Sequence, residues 1–330
     1  MLERMFLAAW YGSSKWTYVF WPLMLLYRYV VTKKRNAFLL QGQKSKSVPK
    51  LPVIVVGNIT VGGTGKTPIT QSIVRYLKSQ GYKPGIISRG YGGALDVFPH
   101  SISRSDESEM VGDEPYMLFH SLNVPVVIDP VRINALSHIS SLGVDVVISD
   151  DGLQHYALPR DIEICVLDGF RGLGNQQLLP VGPLREPVDR LKSVDFTLES
   201  ARDLSNDTFV IQPVSWVNVK TGQKLALHEL QPQRSVAAIA GIGNPDKFFH
   251  TLIDLGVDAK CIGFPDHHAY VEADLENIVG QVLMTEKDAV KIRPFSHEDM
   301  WYLEIEAKLS GVFYDRLSQK LNEYKLMDKK

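Results

Sequence analysis

Residues 53–67 read VIVVGNITVGGTGKT. The β-branched run that ends at Gly57 is typical of a buried strand, and a glycine-rich turn follows it and closes with GKT at 65–67. In a phosphate-binding loop, small residues let backbone N–H groups converge on phosphate oxygens, the lysine neutralises the β- and γ-phosphates, and the hydroxyl ligates Mg²⁺. This stretch therefore predicts a strand, a loop that binds a nucleoside triphosphate, and a helix at 68–79 that starts with proline.

The loop departs from the usual eight-residue pattern at one position. Thr60 stands where the first glycine is usual, so the flexibility must come from the glycines that follow. An ordinary turn explains these glycines, but it does not explain a GKT triplet between a strand and a helix. We assign nucleotide binding to Thr60, Gly62, Gly63, Thr64, Gly65, Lys66 and Thr67.

Composition narrows the class of protein. The chain has 330 residues, of which 45% are hydrophobic and 22% charged, with a formal net charge of −1. These values describe an ordinary folded protein that is long enough for two domains, and the small net charge does not indicate a nucleic-acid partner. Cys165 and Cys261 both lie in apolar, strand-like sequence, so we expect two reduced core residues rather than a disulfide.

The N-terminal region has an uneven distribution of charge. Residues 16–31, WTYVFWPLMLLYRYVV, are nearly all apolar. A helix of this length reaches about 24 Å, which is short of the roughly 30 Å of a bilayer's hydrocarbon core. The pattern favours an interfacial membrane helix, and a buried helix of a soluble protein is the alternative. The cations that follow it, with no acidic residue among them, are Lys33, Lys34, Arg35, Lys44, Lys46 and Lys50.

The rest of the chain alternates between strand and helix patterns, which predicts an α/β fold: a P-loop NTPase-like parallel sheet covered by helices. Strands are predicted at 53–56, 84–88, 124–128, 144–149 and 162–167, with helices at 68–79, 114–120 and 131–142. A polar, proline-rich junction at 203–233, interrupted by 209–219, precedes a second, smaller α/β domain with strands at 236–239, 282–285 and 301–305. The predicted divisions are a membrane-associated segment at 1–50, a P-loop core at 51–205 and a smaller domain at 206–330.

Two carboxylates, Asp150 and Asp151, end one predicted strand. Strand ends of this kind hold Mg²⁺ in P-loop proteins, so we predict a metal site made of Thr67 with Asp150 and Asp151. Because adjacent strand side chains point in opposite directions, only one of the two faces the metal, and the sequence leaves open which one. His155, in the following turn, is either catalytic or hydrogen-bonded locally.

Three further polar clusters follow or precede predicted elements. Asp113 in GDEP is interpreted either as the N-cap of a helix or as the carboxylate that deprotonates an attacking hydroxyl. The loop FPDHH at 264–268 suits a histidine that orients a catalytic carboxylate better than a metal site. The charges of TEKD at 285–288 are explained by a solvated helix start, and we assign them no role.

Two basic, glycine-rich loops are candidates for binding the substrate. SRGYGG lies at 88–93, and DGFRGLGN at 168–175 leads to LLPVGPLREP at 178–187. Arginines above a phosphate site suit an anionic substrate, because guanidinium groups pair with phosphate through two hydrogen bonds. The leucine- and proline-rich part adds the apolar surface that an amphipathic substrate needs.

The ordered set of motifs resembles that of one known family. VGGTGKTP, SRGYGG, GDEP, DDGLQH, DGFRGLGN, LLPVGPLREP, FPDHH and TEKDAVK are similar to the motifs of the tetraacyldisaccharide 4'-kinases, the lipid A 4'-kinases of Gram-negative bacteria. The resemblance covers nearly the whole chain in the family's order. Each motif alone is weak, but the ordered set is very specific, and threonine at the first loop position is normal in that family.

The resemblance implies an enzyme that transfers the γ-phosphoryl group of ATP, with Mg²⁺, to the 4'-hydroxyl of a tetraacylated glucosamine disaccharide 1-phosphate, which gives lipid IVA. It implies a peripheral protein on the cytoplasmic face of the inner membrane. Its implied partners are the lipid and the membrane surface, with no nucleic acid and no obligate protein partner.

The resemblance also implies roles for single residues. Asp113 is the base, His267 orients it, and Lys66 stabilises the transferring phosphate. The smaller domain is expected to close over the nucleotide. The implied substrate-binding residues are Arg89, Tyr91, Arg171, Asn175, Arg185 and Glu186.

Three other functions compete with this one. They are a soluble P-loop ATPase, a kinase of a small soluble sugar or cofactor, and a membrane adaptor that binds nucleotide without catalysis. The apolar helix combined with the arginine loops favours the lipid kinase, because only an anionic lipid substrate uses both features.

Overall fold

The strand that precedes the glycine-rich loop lies inside a large sheet that helices cover. The computed structural model describes residues 2–41, 50–231 and 235–327. The helices in these ranges are α1 (Leu2–Tyr11), α2 (Trp21–Gln41), α3 (Lys66–Ser79), α4 (Ser108–Val111), α5 (Asp113–Leu122), α6 (Arg132–Ser140), α7 (Pro245–Asp254), α8 (Glu286–Ile292) and α9 (Gly311–Met327). The strands are β1 (Val53–Gly57), β2 (Pro84–Ser88), β3 (His100–Ser101), β4 (Val126–Ile128), β5 (Val146–Asp150), β6 (Ile162–Leu167), β7 (Phe196–Ser200), β8 (Thr208–Asn218), β9 (Lys224–Ala226), β10 (Val236–Ala240), β11 (Lys260–Gly263), β12 (Gln281–Thr285) and β13 (Met300–Leu309).

The thirteen strands within the described ranges form one sheet. Its order is β11-β10-β12-β13-β8-β7-β6-β1-β5-β2-β4-β3, and β9 pairs with β8 off this path. Strand β1 is parallel to β5 on one side and to β6 on the other, and all five of its residues are buried. A strand covered on both faces must be apolar throughout, which explains the β-branched run. The predicted α/β fold with a mostly parallel sheet is confirmed.

The predicted elements are present, and most of their ends are shifted by at most two residues; β13 is the exception, since it runs four residues beyond its predicted end at 305. Helix α3 begins at Lys66 rather than at 68, and β4 begins at Val126 rather than at 124. Strand β5 extends to Asp150, one residue beyond the predicted end. Hydropathy periodicity marks the body of an element, whereas its ends depend on individual hydrogen bonds.

The interruption of the predicted junction, at 209–219, is the 11-residue strand β8. This strand pairs antiparallel with β13 along most of its length and parallel with the end of β7. Pro213 lies at the register shift of the β8–β13 pair, where its missing N–H breaks the ladder least. The sheet therefore continues without a break from the half that contains the glycine-rich loop into the C-terminal half.

The C-terminal helix α9 packs back on the first half of the chain. Phe313 is buried in the same apolar cluster as Ile54 of β1, and its ring centroid lies 5.1 Å from that of Phe196. The chain end therefore shares a core with the part that precedes the predicted junction. The division into segments at 1–50, 51–205 and 206–330 stays a prediction.

The N-terminal apolar sequence forms a short 3₁₀ helix, Trp16–Phe20, followed by α2. Both are docked on the loop at 178–187 by hydrogen bonds to its carbonyl groups. Thr17 Oγ1 donates to Val181 O at 2.9 Å, and Tyr27 Oη donates to Arg185 O at 3.0 Å. These bonds fix one face of the segment on the protein.

The opposite face of this segment is apolar and exposed. Val19, Leu23 and Leu26 expose 73%, 54% and 61% of their surface. Within the described ranges, no helix has both the length and the apolar character needed to cross a membrane. Lys44 and Lys46 of the basic cluster lie outside the described residues.

The two cysteines differ in environment. Both are free thiols, and Cys165 on β6 is buried as predicted. The prediction was wrong for Cys261, which is exposed on β11. Strand β11 lies at the edge of the sheet, so an apolar strand pattern does not guarantee burial there.

Candidate active site

The glycine-rich loop lies between β1 and α3, at the carboxyl edge of the sheet. Gly62 and Gly65 have φ angles of 107° and 91°, which other residues rarely adopt. A Cβ atom at Gly65 would also lie 3.1 Å from the ring of Phe209. The backbone therefore turns into the N-terminus of α3, where free N–H groups and the helix dipole favour a bound phosphate.

A row of charged side chains lies beside this loop. Lys66 Nζ is 3.7 Å from Asp151 Oδ1, and Arg185 Nη1 is 3.2 Å from Asp151 Oδ2. Burial raises the pKa of Asp151, but the charges of Lys66 and Arg185 outweigh it and lower the pKa below its usual value. Two cations therefore converge on one ionised carboxylate at the edge of the loop.

Asp150 lies in a different environment from its neighbour. It ends β5, is 1% exposed, and accepts a hydrogen bond from Thr70 Oγ1 at 3.3 Å. Burial, together with the charges of Glu114 and Asp151, raises the pKa of Asp150 to about 7. A buried carboxylate of this kind gains strongly from a nearby cation.

Asp113 contacts a histidine from the other half of the chain. His267 Nδ1 lies 3.3 Å from Asp113 Oδ2, across 154 residues of sequence. The interpretation of Asp113 as an N-cap was wrong: it is the first residue of α5, the N-cap position is Gly112, and no side chain caps this end. The hydrogen bond that His267 donates to the Asp113 carboxylate is the main reason why the pKa of His267 is raised. A carboxylate paired with an imidazole is suited to accept a proton.

The sequence TEKDAVK at 285–291, whose first charges are explained by a solvated helix start when only the sequence is considered, lies at this pair. Lys287 Nζ contacts Glu114 Oε1, and Lys291 Nζ lies 3.3 Å from Asp113 Oδ2. The charge of Lys287 lowers the pKa of Glu114 to about 2. It outweighs burial, which acts in the opposite direction. The available signal was the spacing of the two lysines, which are four residues apart and therefore share one face of a helix.

Arg132 and His155 also lie near the strand ends. Arg132 is 3% exposed and donates to the carbonyl oxygen of Asp150 at 3.2 Å. Burial, followed by the charges of Arg132 and Arg89, lowers the pKa of His155 to about 4. His155 is therefore a neutral imidazole at physiological pH. The sequence did not single out Arg132, because an arginine at a helix start is ordinary on a protein surface.

The residues predicted to bind the substrate lie at the same edge of the sheet, with different exposure. Arg89 is exposed, and the exposed ring of Tyr91 lies 5.9 Å from the His267 ring. The Arg171 guanidinium lies 5.7 Å from the centre of the Tyr11 ring in the N-terminal helix α1. Asn175 bonds its side-chain amide to Val181 O and to Gln177 N, so it also shapes its own loop.

Glu186 is the exception among these residues because it is completely buried. Its Oε1 accepts from Gln154 at 2.8 Å, and its Oε2 accepts from Tyr156 at 2.5 Å. Arg190 Nε lies 3.3 Å from Oε2. With two hydrogen bonds and one ion pair inside the protein, Glu186 stabilises the loop at 178–187. Its direct contact with substrate stays a prediction, which this burial does not favour.

The strand–loop–helix unit with its lysine, and the carboxylates at the adjacent strand end, place the protein among the P-loop phosphotransferases of the α/β class. The chain belongs to the Tetraacyldisaccharide-1-P 4'-kinase family, which it matches over residues 16–322.

Relatives and a solved structure agree with this assignment. The Tetraacyldisaccharide 4'-kinase of Hahella chejuensis is 42% identical over 323 residues, which are 95% of each chain. That of Legionella pneumophila is 43% identical over 309 residues, which are 93% of this chain and 94% of the relative. The crystal structure of LpxK from Aquifex aeolicus in complex with ATP has a TM-score of 0.75 and 27% identity, and the match covers 93% of this chain and 99% of that one.

Proposed function

We propose that this protein transfers the γ-phosphoryl group of ATP to the 4'-hydroxyl of a tetraacylated glucosamine disaccharide 1-phosphate, which gives lipid IVA. The observation that carries the proposal is the contact between Asp113 and His267 beside the phosphate-binding loop. A soluble ATPase needs no proton acceptor for a sugar alcohol, whereas a kinase does. Family membership supplies the identity of the alcohol.

The described residues divide the reaction into three tasks. Lys66 and the backbone of the loop hold the phosphates of ATP and offset their charge. Asp113 takes the proton of the attacking hydroxyl, and His267 holds Asp113 in position. Arg89, Tyr91, Arg171 and Arg185 bind the disaccharide and its 1-phosphate at the same edge of the sheet.

Mg²⁺ fits the oxygen atoms around the loop. Within the described ranges, no group of three or more His, Cys, Asp or Glu side chains is placed to hold a metal ion. Mg²⁺ does not require such a group, because it keeps several waters and phosphate oxygens as ligands. We propose that Thr67 and Asp150 hold the ion, with Asp151 adjacent, since Asp150 is the desolvated carboxylate and Asp151 is paired with cations. When bound, Mg²⁺ neutralises charge on the β- and γ-phosphates.

The decisive experiment measures transfer of ³²P from [γ-³²P]ATP to the lipid disaccharide 1-phosphate in mixed detergent micelles with Mg²⁺. We expect labelled lipid with a phosphate on the 4' position, and no labelling of free glucosamine. Release of inorganic phosphate without labelled lipid would contradict the proposal and favour an ATPase.

We further propose that the N-terminal segment attaches the protein to the cytoplasmic face of the inner membrane. Two observations support this placement: the exposed apolar side chains of the segment, and the cations that follow them in sequence. Apolar side chains partition into the bilayer interface, and basic residues are attracted to anionic lipid.

Sedimentation with anionic phospholipid vesicles tests this attachment. The double variant Leu23→Ser, Leu26→Ser is expected to bind at least about tenfold more weakly than the wild type, because each leucine contributes roughly 1.5–3 kcal/mol when buried. Ile253→Ser is the matched control, since Ile253 is an apolar side chain that is 64% exposed on α7, outside the segment. Equal sedimentation of the double variant and the control would contradict the proposal.

A further inference from the structure

The helix α8 of the C-terminal half places two lysines against the two acidic residues that begin α5. Lys287 and Lys291 are four residues apart on α8, and Asp113 and Glu114 are adjacent on α5. Lys287 contacts Glu114, and Lys291 lies 3.3 Å from Asp113. Both lysines can pair with the two acidic residues only when α8 and α5 have one particular relative orientation. This contact is therefore a specific junction between the halves of the chain.

Lys291 is held firmly at this junction. Its side chain is 8% exposed, and its Nζ also donates to His268 O at 3.1 Å. The same ammonium lies 5.7 Å from the centre of the Tyr270 ring, which adds a cation–π contact. A lysine with three partners and little exposure has a defined position, unlike an ordinary surface lysine.

The helix that carries Lys291 is itself anchored. Asp288 is completely buried and accepts three hydrogen bonds. The donors are Gly241 N at 3.0 Å, Tyr270 Oη at 3.0 Å and Thr285 Oγ1 at 2.6 Å. Because Asp288 lies between the two lysines in sequence, these bonds fix the direction in which both point.

The two carboxylate oxygens of Asp113 have different contacts. His267 Nδ1 and Lys291 Nζ both lie 3.3 Å from Oδ2. In the part of the chain that the structure describes, the hydrogen bond to this carboxylate goes to Oδ2, and no hydrogen bond reaches Oδ1. One oxygen is therefore used to hold the carboxylate in place, and the other is available to an incoming hydroxyl.

We propose that Lys291 is a positioning residue for the phosphoryl transfer: with His267 it fixes Oδ2 of Asp113, so that Oδ1 accepts the proton of the sugar hydroxyl. This inference rests on the proposed role of Asp113 as the base. The step moves one proton from the hydroxyl to Oδ1 while the hydroxyl oxygen forms a bond to the γ-phosphorus, and ADP leaves with the electrons of the broken bond. Lys291 touches neither ATP nor lipid in this arrangement and acts through Asp113.

The test is a double-mutant cycle between Lys291→Met and Asp113→Asn. Methionine keeps most of the aliphatic length of lysine without its charge. We expect Lys291→Met to lower kcat about 10–100-fold, as misplacement of a reacting group does, with KM for ATP changed less than about twofold. In the Asp113→Asn background, Lys291→Met is expected to cause no further loss, because its effect passes through the missing carboxylate.

Lys308→Met is the matched control, since Lys308 is an exposed residue of β13 in the same half of the chain, and it is expected to behave as wild type. If Lys291→Met lowers Tm by more than about 4 °C, Lys291→Gln replaces it in the cycle, because glutamine keeps a donor for His268 O. Wild-type kcat in the Lys291 variant would overturn the inference. So would a double variant whose fold loss of kcat equals the product of the losses in the two single variants. An active Asp113→Asn variant would instead overturn the proposed base, so the two failures are distinguishable.

Discussion

Lys66→Met is expected to lower kcat for transfer of phosphate to the lipid by about 10²–10³-fold, while the protein remains folded. Lys66 is the first residue of α3, and its ammonium group lies 3.7 Å from the carboxylate of Asp151. Removing one preorganised group that stabilises charge in a transition state has an effect of this size. The measurement is ³²P transfer to the lipid disaccharide at saturating ATP and Mg²⁺.

The control for this variant is Lys78→Met on the same helix. Lys78 lies at the opposite end of α3, where its ammonium contacts Leu122 O at 2.8 Å. We expect this variant to keep wild-type kcat, which separates loss of phosphate binding from a general effect of removing a lysine from α3. A Lys66 variant with more than about half of the wild-type kcat would refute the assigned role.

The second large effect is expected for Asp113→Asn. Asparagine has the same shape but cannot accept a proton, so kcat should fall about 10²–10⁴-fold, with KM for ATP changed less than about threefold. Such a split shows loss of a group that acts in the transition state rather than loss of nucleotide binding. His267→Ala is expected to cause a smaller loss, because Asp113 keeps its contact with Lys291.

Steady-state kinetics of the purified variants provide the measurement. Asp254→Asn, at an exposed position at the end of α7, is the matched control and is expected to retain wild-type kcat and KM. Thermal melting of each variant shows whether it is folded. Undiminished turnover by folded Asp113→Asn would remove the proton acceptor from the mechanism and with it the interpretation of His267.

Much of the fold could be predicted because the relevant signals are local. A β-branched run, a glycine-rich turn and GKT identify β1, the loop and α3, since each depends on the conformations of neighbouring residues. The prediction failed where burial depends on position within the sheet. Cys261 lies on an edge strand and is exposed, although its local sequence resembles that of Cys165.

In the candidate site, too, some features could be predicted from local sequence and others depend on the tertiary structure. Lys66 and the strand end at Asp150 are visible as short motifs, and the ordered set of motifs identifies the family. The partners of Asp113 are not visible in this way, because His267 and Lys291 are more than 150 residues away in sequence. Glu186 lies in a motif that predicts substrate binding, but in the structure it is buried, accepts hydrogen bonds from Gln154 and Tyr156, and pairs with Arg190.

The sequence by itself determined the phosphate-binding loop, the alternating α/β elements and the family, because these follow from residue type and short spacing. Only the tertiary structure decided that α8 meets the start of α5, and that Oδ2 of Asp113 is bound by His267 and Lys291. The physical reason is that strand order and helix packing set distances between residues remote in sequence. Those distances arise from the whole β8–β13 connection between the two halves, and no single motif encodes them.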